Sequence, residues 1–402
     1  MDEAWDEAPT VEGSLVPRTD FPILERVAYV NTASFGLPAL PVQRVARAFD
    51  EQIWTSGTVG FDDDAEAAVY EGAREAVGRL LNCDPFGVAL TGSVTEALAQ
   101  LAWGLGLPRG SNVVSTNIEF PSVTYPWLRA GEDNGTEVRL VDVIDDPAAL
   151  TVERIAELVD DRTSVLCISH VQYGTGARLD PAALAELAHA HGATLILDTY
   201  QSAGVVPLDV AALDADVVVG GGMKWLCGTA GAAFCSVRPD IVERLRPAVV
   251  GWRSPVDPPN FDARSIRLAP GARRMEFATM AYSAGLALRR AIDYILEAGI
   301  ERILGHSLDL GTRLIAGVEE LGGSTQTPHK AASRAGIVNV RFPDRDGADL
   351  TRALNAADVI VSPRLGGTRF SLHMFNDVSD VDRALDVLEH VTRPSGLRAG
   401  SP

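Results

Sequence analysis

The chain has 402 residues and a formal net charge of −19, with 35 basic against 54 acidic residues. A surface this acidic repels phosphate backbones and anionic lipid, which argues against nucleic-acid and membrane partners. Hydrophobic residues make up 46% and charged residues 22%, so the chain can bury a sizeable core and has the length of a large domain plus a smaller one.

Taken in chain order, the first fourteen residues, MDEAWDEAPTVEGS, are acidic and carry neither a basic nor an apolar leader stretch. Residues 1–20 read as a flexible segment rather than a signal peptide. From residue 88 short apolar runs alternate with helical patterns. The runs at 88–90, 112–116, 137–143, 164–170, 194–198, 216–221 and 232–237 read as buried strands, and stretches such as 181–192 read as helices. That alternation predicts an α/β fold with a mostly parallel sheet over residues 21–265, with ligands held beyond the carboxyl ends of the strands. The pattern then changes to a long helical region, about 278–321, followed by strand–helix–strand–helix. A smaller C-terminal α+β domain over 266–402 is expected. The four cysteines, Cys83, Cys167, Cys227 and Cys235, show no CxxC or zinc-ligand spacing, which fits a reducing, cytoplasmic location.

Three places along this frame can carry chemistry. The strand at 88–90 runs into TGSVTEA, where Ser93, the backbone of Val94, and Thr95 open a helix and suit a phosphate; taken alone, an ordinary Ser/Thr cap with Glu96 in the first turn is the better reading. Asp198 ends the strand TLILD and points a carboxylate into the ligand crevice. It can keep a pyridine nitrogen protonated, with Gln201 donating to a neighbouring ring oxygen, although an Asp capping the next turn reads the same way. Third is Lys224, in GGGMKWLCGTAG, at the exit of the following strand. Of 35 basic residues only two are lysines, Lys224 and Lys330. Arginine serves for surface charge but cannot supply the amine of a Schiff base. Lys330 lies in a polar stretch, so Lys224 is the candidate amine to condense with an aldehyde and later move a proton; a helix-terminal lysine is the alternative.

The blocks TGSVTEA, EFPSVTYPW, SHVQYGTG, DTYQSAG, GGGMKWLCGTAG, RRMEFAT, RAGIVNV and TRFSLHMFND, in this order, resemble the class V aminotransferases. These are fold type I enzymes dependent on pyridoxal phosphate (PLP), alongside cysteine desulfurases, selenocysteine lyases and isopenicillin N epimerase-like proteins. The resemblance runs from about Tyr29 to His390. It implies that Lys224 and Asp198 are catalytic, that PLP is held also by Ser93, Val94, Thr95, Phe120 (stacked on the ring) and Gln201, and that Arg369 pairs with the substrate α-carboxylate. Asn31, Ala33 and Ser34 are implied to line the substrate site, and Thr279 to reach the phosphate of a neighbouring subunit in a homodimer. His170 is a candidate near the cofactor or a satisfied core histidine. Arg253 is a candidate contact to substrate or dimer partner.

The departures from the family pattern narrow the chemistry. Where many relatives carry Ser-x-His before the lysine, this chain has Gly221 and Met223. Cysteine desulfurases place a histidine at Phe120, often an asparagine at Tyr173, and a nucleophilic cysteine before the TRFSLH-like segment. Here that stretch is SPRLGGTRF, with no cysteine. A desulfurase-like scaffold without its sulfur acceptor is expected to act as a C–S β-lyase on an S-substituted cysteine in small-thiol or natural-product biosynthesis. Epimerase and aminotransferase chemistry share the same motifs. A non-catalytic PLP-binding regulator is disfavoured, because no basic segment is left over for DNA.

Overall fold

Val-, Ile- and Leu-rich runs set between side-chain-capped helices form the strands in a computed structural model that describes residues 13–392. In chain order the first elements are β1 (Ala28–Tyr29), α1 (Leu40–Ser56), α2 (Asp63–Leu81), β2 (Val88–Thr91), α3 (Val94–Gly104), β3 (Asn112–Thr116), α4 (Pro121–Asn134), β4 (Glu137–Val141) and α5 (Val152–Ala156). Next come β5 (Thr163–Ser169), α6 (Pro181–Ala190), β6 (Thr194–Asp198), α7 (Val210–Leu213), β7 (Val217–Gly221), β8 (Ala233–Val237), α8 (Pro239–Arg244), α9 (Tyr282–Ala298) and α10 (Ile300–Glu320). The last are β9 (Ser324–Thr325), β10 (Ile337–Arg341), α11 (Gly347–Ala356), β11 (Val359–Ile360), β12 (Ser362–Arg364), β13 (Gly367–Ser371) and α12 (Val378–Thr392).

Seven strands make one sheet in the order β2-β8-β7-β6-β5-β3-β4, in which β8 runs against the others. Successive side chains of a strand face opposite ways, and both faces are covered. Leu166, Ile168, Leu195, Leu197 and Val218 enter one core. Val165, Cys167, Ile196, Val217 and Val219 enter the other, against α3 and α4. This double burial is why the strands read as continuous apolar runs rather than alternating ones. Each fully buried Val, Leu or Ile side chain stabilises the fold by roughly 1.5–3 kcal/mol.

The smaller sheet is antiparallel, in the order β12-β13-β10-β9, and shares a third core with α10, α11 and α12. Ala28 and Val30 join that core, because β1 pairs in parallel with β11. The long helical region is two helices, broken at Gly299, whose φ of 86° a residue with a side chain rarely adopts. The first, α9, packs on α1 and α2 and contributes to the large core. Of the expected flexible segment, residues 1–12 lie outside the described residues. Residues 13–20 are tied down instead: Leu15 N–H donates to the Met374 carbonyl at 2.9 Å, and Arg18 pairs with Asp380 at 2.8 Å. Among the described residues no helix is long and apolar enough to cross a membrane.

Candidate active site

The carboxyl end of the large sheet decides which side chains meet. Ser169 and Asp198 are paired across β5 and β6, so they share a face. Residues two positions earlier, Cys167 and Ile196, place that face on the α3/α4 side. Asp198 Oδ1 accepts from the Tyr200 N–H at 2.7 Å, so the turn-capping role and the crevice-facing role hold together; Oδ2 has no hydrogen-bond partner among the described residues. Lys224 follows β7 by three residues. Its backbone is clamped by the N-terminal loop, where Gly36 N–H donates to the Met223 carbonyl at 2.8 Å. A Cβ on Gly36 would stand 1.8 Å from the Lys224 carbonyl oxygen, so only glycine permits this crossing.

These groups open into a cavity of ≈ 460 Å³. At one end lies the start of α3. Ser93 is its cap, accepting from Glu96 N–H at 3.1 Å, and Glu96 returns a carboxylate to Gly92 N–H at 3.0 Å. The cap is therefore real, and it leaves the first-turn N–H groups of Val94 and Thr95 without helical partners. The Thr95 hydroxyl meets Ser122 at 2.7 Å. Across the cavity the Lys224 Nζ sits 4.2 Å from the centroid of Tyr200 and 5.5 Å from that of Phe120, whose half-exposed ring meets Tyr173 edge-on. Gln201 is held from both sides: its Nε2 donates to the Ala33 carbonyl at 3.1 Å and its Oε1 accepts from Trp225 Nε1 at 2.7 Å. One amide N–H remains to give to a ligand. Arg369 is buried and donates to the Tyr173 carbonyl at 2.8 Å and to Ser34 at 2.6 Å. Ser34 meets Ser362 at 3.0 Å, and Ser362 donates to Asn31 at 2.9 Å. Asn31 thus supports the wall that Ala33 and Ser34 line.

Burial governs the electrostatics. It pushes the Lys224 ammonium down to about 8, against the pull of Asp198 and with the help of Arg369 and Arg364. It pushes Asp198 up, offset by the Tyr200 N–H and by Lys224. Burial and then Arg364 work against the charge on Arg369, so an arriving carboxylate is well matched there. These residues fit PLP. A half-satisfied buried carboxylate faces the cavity for a ring nitrogen, an amine of depressed basicity stands ready for an aldehyde, and free N–H and hydroxyl groups at a helix start suit a phosphate.

His170, Arg253 and Thr279 lie outside the Lys224 cavity. His170 follows Ser169 and so turns to the opposite face, into a separate cavity lined also by Leu179, Arg178 and Val206. There burial lowers it to about 3 and leaves Nδ1 without a partner. Arg253 folds back onto α2, ion-pairing with Glu66 and stacking 3.6 Å over Tyr70. Thr279 is exposed before α9, away from the Lys224 cavity. In return the structure brings in residues the sequence did not single out. A Cβ at Gly221 would meet the Tyr200 ring at 2.8 Å, so Tyr200 fills the space that a side chain at 221 would need. Glu119 is buried behind Phe120. It accepts from the N–H of Ser169 at 3.0 Å and from its hydroxyl, and burial raises it to about 7. Arg364 also lines the cavity. The alternation of strand residues signals the turn of His170; only tertiary packing signals the others.

Comparison with known proteins identifies the family. The family described as "Aminotransferase class-V" matches residues 54–384. Isopenicillin N epimerase of Streptomyces clavuligerus is 30% identical over 80% of this chain and 84% of its own. A probable cysteine desulfurase of Methanothermobacter thermautotrophicus is 27% identical over 93% and 97%. Among solved structures, a cystine C–S lyase in complex with cysteine persulfide superposes with a TM-score of 0.84 at 22% identity, covering 92% of this chain and 99% of that one. The matched span, the order of the strand-end motifs and the convergence of Lys224, Asp198 and Arg369 make this chain a member of the class-V aminotransferase family of PLP-dependent enzymes.

Proposed function

We propose that this protein is a C–S β-lyase that cleaves an S-substituted cysteine to a thiol, pyruvate and ammonia. The observation that carries this reading is a cavity in which Lys224, Asp198 and Arg369 converge and which no cysteine lines. Cys167, Cys227 and Cys235 are buried, and burial pushes their thiols far up. None is poised to accept sulfur, so sulfur leaves with its substituent.

When bound, PLP would supply an aldehyde for the substrate's amine and a ring that acts as an electron sink for its α-carbon. Asp198 would hold the ring nitrogen protonated, and Gln201 would donate its spare N–H to the ring oxygen. Ser93, Val94 and Thr95 would hold the phosphate. Arg369 receives the α-carboxylate and fixes the α-carbon. Lys224, as the free amine, takes the α-proton. The electron pair of the C–S bond leaves with sulfur, the thiolate takes a proton, and water completes the release of pyruvate and ammonia. The same reading includes a homodimer in which the exposed Thr279 reaches the partner's phosphate site.

The test is incubation of the PLP-loaded enzyme with a panel of cysteine S-conjugates. Pyruvate, ammonia and free thiol are expected in equal amounts. α-Proton exchange into solvent deuterium without pyruvate would replace the reading by epimerisation.

A further inference from the structure

Charges lining the Lys224 cavity are Asp198, Lys224, Arg364 and Arg369. On the reading above, Lys224 meets the cofactor aldehyde, Asp198 its ring nitrogen and Arg369 the α-carboxylate. Arg364 is left over. Its recorded hydrogen bond is to the neighbouring Pro363 carbonyl, at 2.7 Å, and among the described residues no carboxylate lies within ion-pair distance of it. A cation facing a cavity without an anion, in a chain of net charge −19, is a ligand group in search of its counter-ion.

The hairpin that carries Arg364 is rigidly built. Its two turn residues, Leu365 and Gly366, have φ of 47° and 75°, and the leucine pays conformational strain for that position. The Leu365 side chain packs so closely on Gly174 that a Cβ there would meet it at 2.5 Å. Buried Asn339 donates to the carbonyls of both Arg364, at 3.0 Å, and Gly174, at 2.8 Å. Ser362 lies opposite Arg369 in the β12–β13 ladder, and Arg364, two residues on, shares its face. Arg364 and Arg369 are therefore diagonal neighbours, with backbones on the order of 7–8 Å apart.

We propose that Arg364 is a specificity-determining residue that binds a second anionic group, a carboxylate at the distal end of the substrate side chain. This rests on the lyase reading for the identity of the substrate but not for the recognition itself. The substrate class becomes an S-(carboxyalkyl)-cysteine: Arg369 takes the α-carboxylate, Arg364 the distal one, and the scissile C–S bond lies between.

The test reads binding rather than turnover. The PLP-loaded enzyme is titrated with L-2-aminoadipate and with L-norleucine, which match in chain length and differ in the distal carboxylate, and the cofactor absorbance is followed. The wild type is expected to bind aminoadipate at least about tenfold more tightly, the worth of a charge-assisted hydrogen bond. Arg364→Gln is expected to bring the ratio close to one. Arg364→Lys is expected to restore part of it, because an ammonium keeps the charge but not the fork. Equal binding of the two ligands by the wild type, or an undiminished ratio in Arg364→Gln, would overturn the proposal. Preserved discrimination without pyruvate from any conjugate would remove the lyase reading and leave Arg364 in its role.

Discussion

Lys224 Nζ gives up most of its hydration to stand between the Tyr200 and Phe120 rings, and burial brings it down to about 8 from the 10.5 of an exposed lysine. Only the free amine attacks an aldehyde, so the depressed value makes Lys224 reactive at lower pH. The rate at which apoenzyme takes up PLP should therefore rise with pH and level off just above pH 8, as followed by stopped-flow absorbance. A rate still climbing past about pH 10 would show an unperturbed lysine. At this scale the sequence is legible where chemistry coincides with a strand end. Asp198 and Lys224 could be found because each closes or follows an apolar run. His170 also closes one, which left it open between the cofactor and the core, and only the alternation counted from Asp198 and Ser169 sends its ring to the other face. Tyr200 was hidden between two recognisable residues, and its value depends on the missing side chain of Gly221, 21 positions away in the chain.

Elements buried on both faces announce themselves, which is why six of the seven strands fall where their apolar runs do; the edge strand β4 buries only Val141. Turns and crossings do not. Gly36 crosses Lys224 so closely that a Cβ there would stand 1.8 Å from the Lys224 carbonyl oxygen, and no local pattern encodes that crossing. The hairpin of Leu365 and Gly366 looks in sequence like a short polar loop, yet it sets Arg364 beside Arg369. Arg253 sits in an equally unpatterned stretch, and its partners Glu66 and Tyr70 lie on α2, nearly 190 residues earlier. Its place is fixed by that long-range ion pair and by stacking, which join the 251–254 turn to the helix. Trp225 shows the reverse case. It is fully buried, and its indole N–H also fixes the orientation of the Gln201 amide.

Over the whole molecule, exposed apolar side chains concentrate at 53–61 and 249–266. They include Trp54 at 85%, Val59 at 79% and Phe261 at 73% exposure. Phe61 in the first of these segments packs edge-on against Tyr282, next to the exposed loop of Thr279. Exposed apolar segments of this kind suit a subunit interface. Sedimentation is accordingly expected to show a dimer, and Thr279→Ala to weaken PLP binding several-fold by loss of one hydrogen bond; a monomer that binds PLP with unchanged affinity would dismiss the shared site. The most direct test of the account uses the scarcity of lysine in the whole chain, with Lys224 buried and Lys330 exposed. Borohydride reduction of the PLP-loaded protein followed by peptide mapping should place the phosphopyridoxyl group on Lys224 alone. Finding it on Lys330, or a Lys224→Ala variant that keeps both the visible cofactor absorbance and turnover, would contradict it.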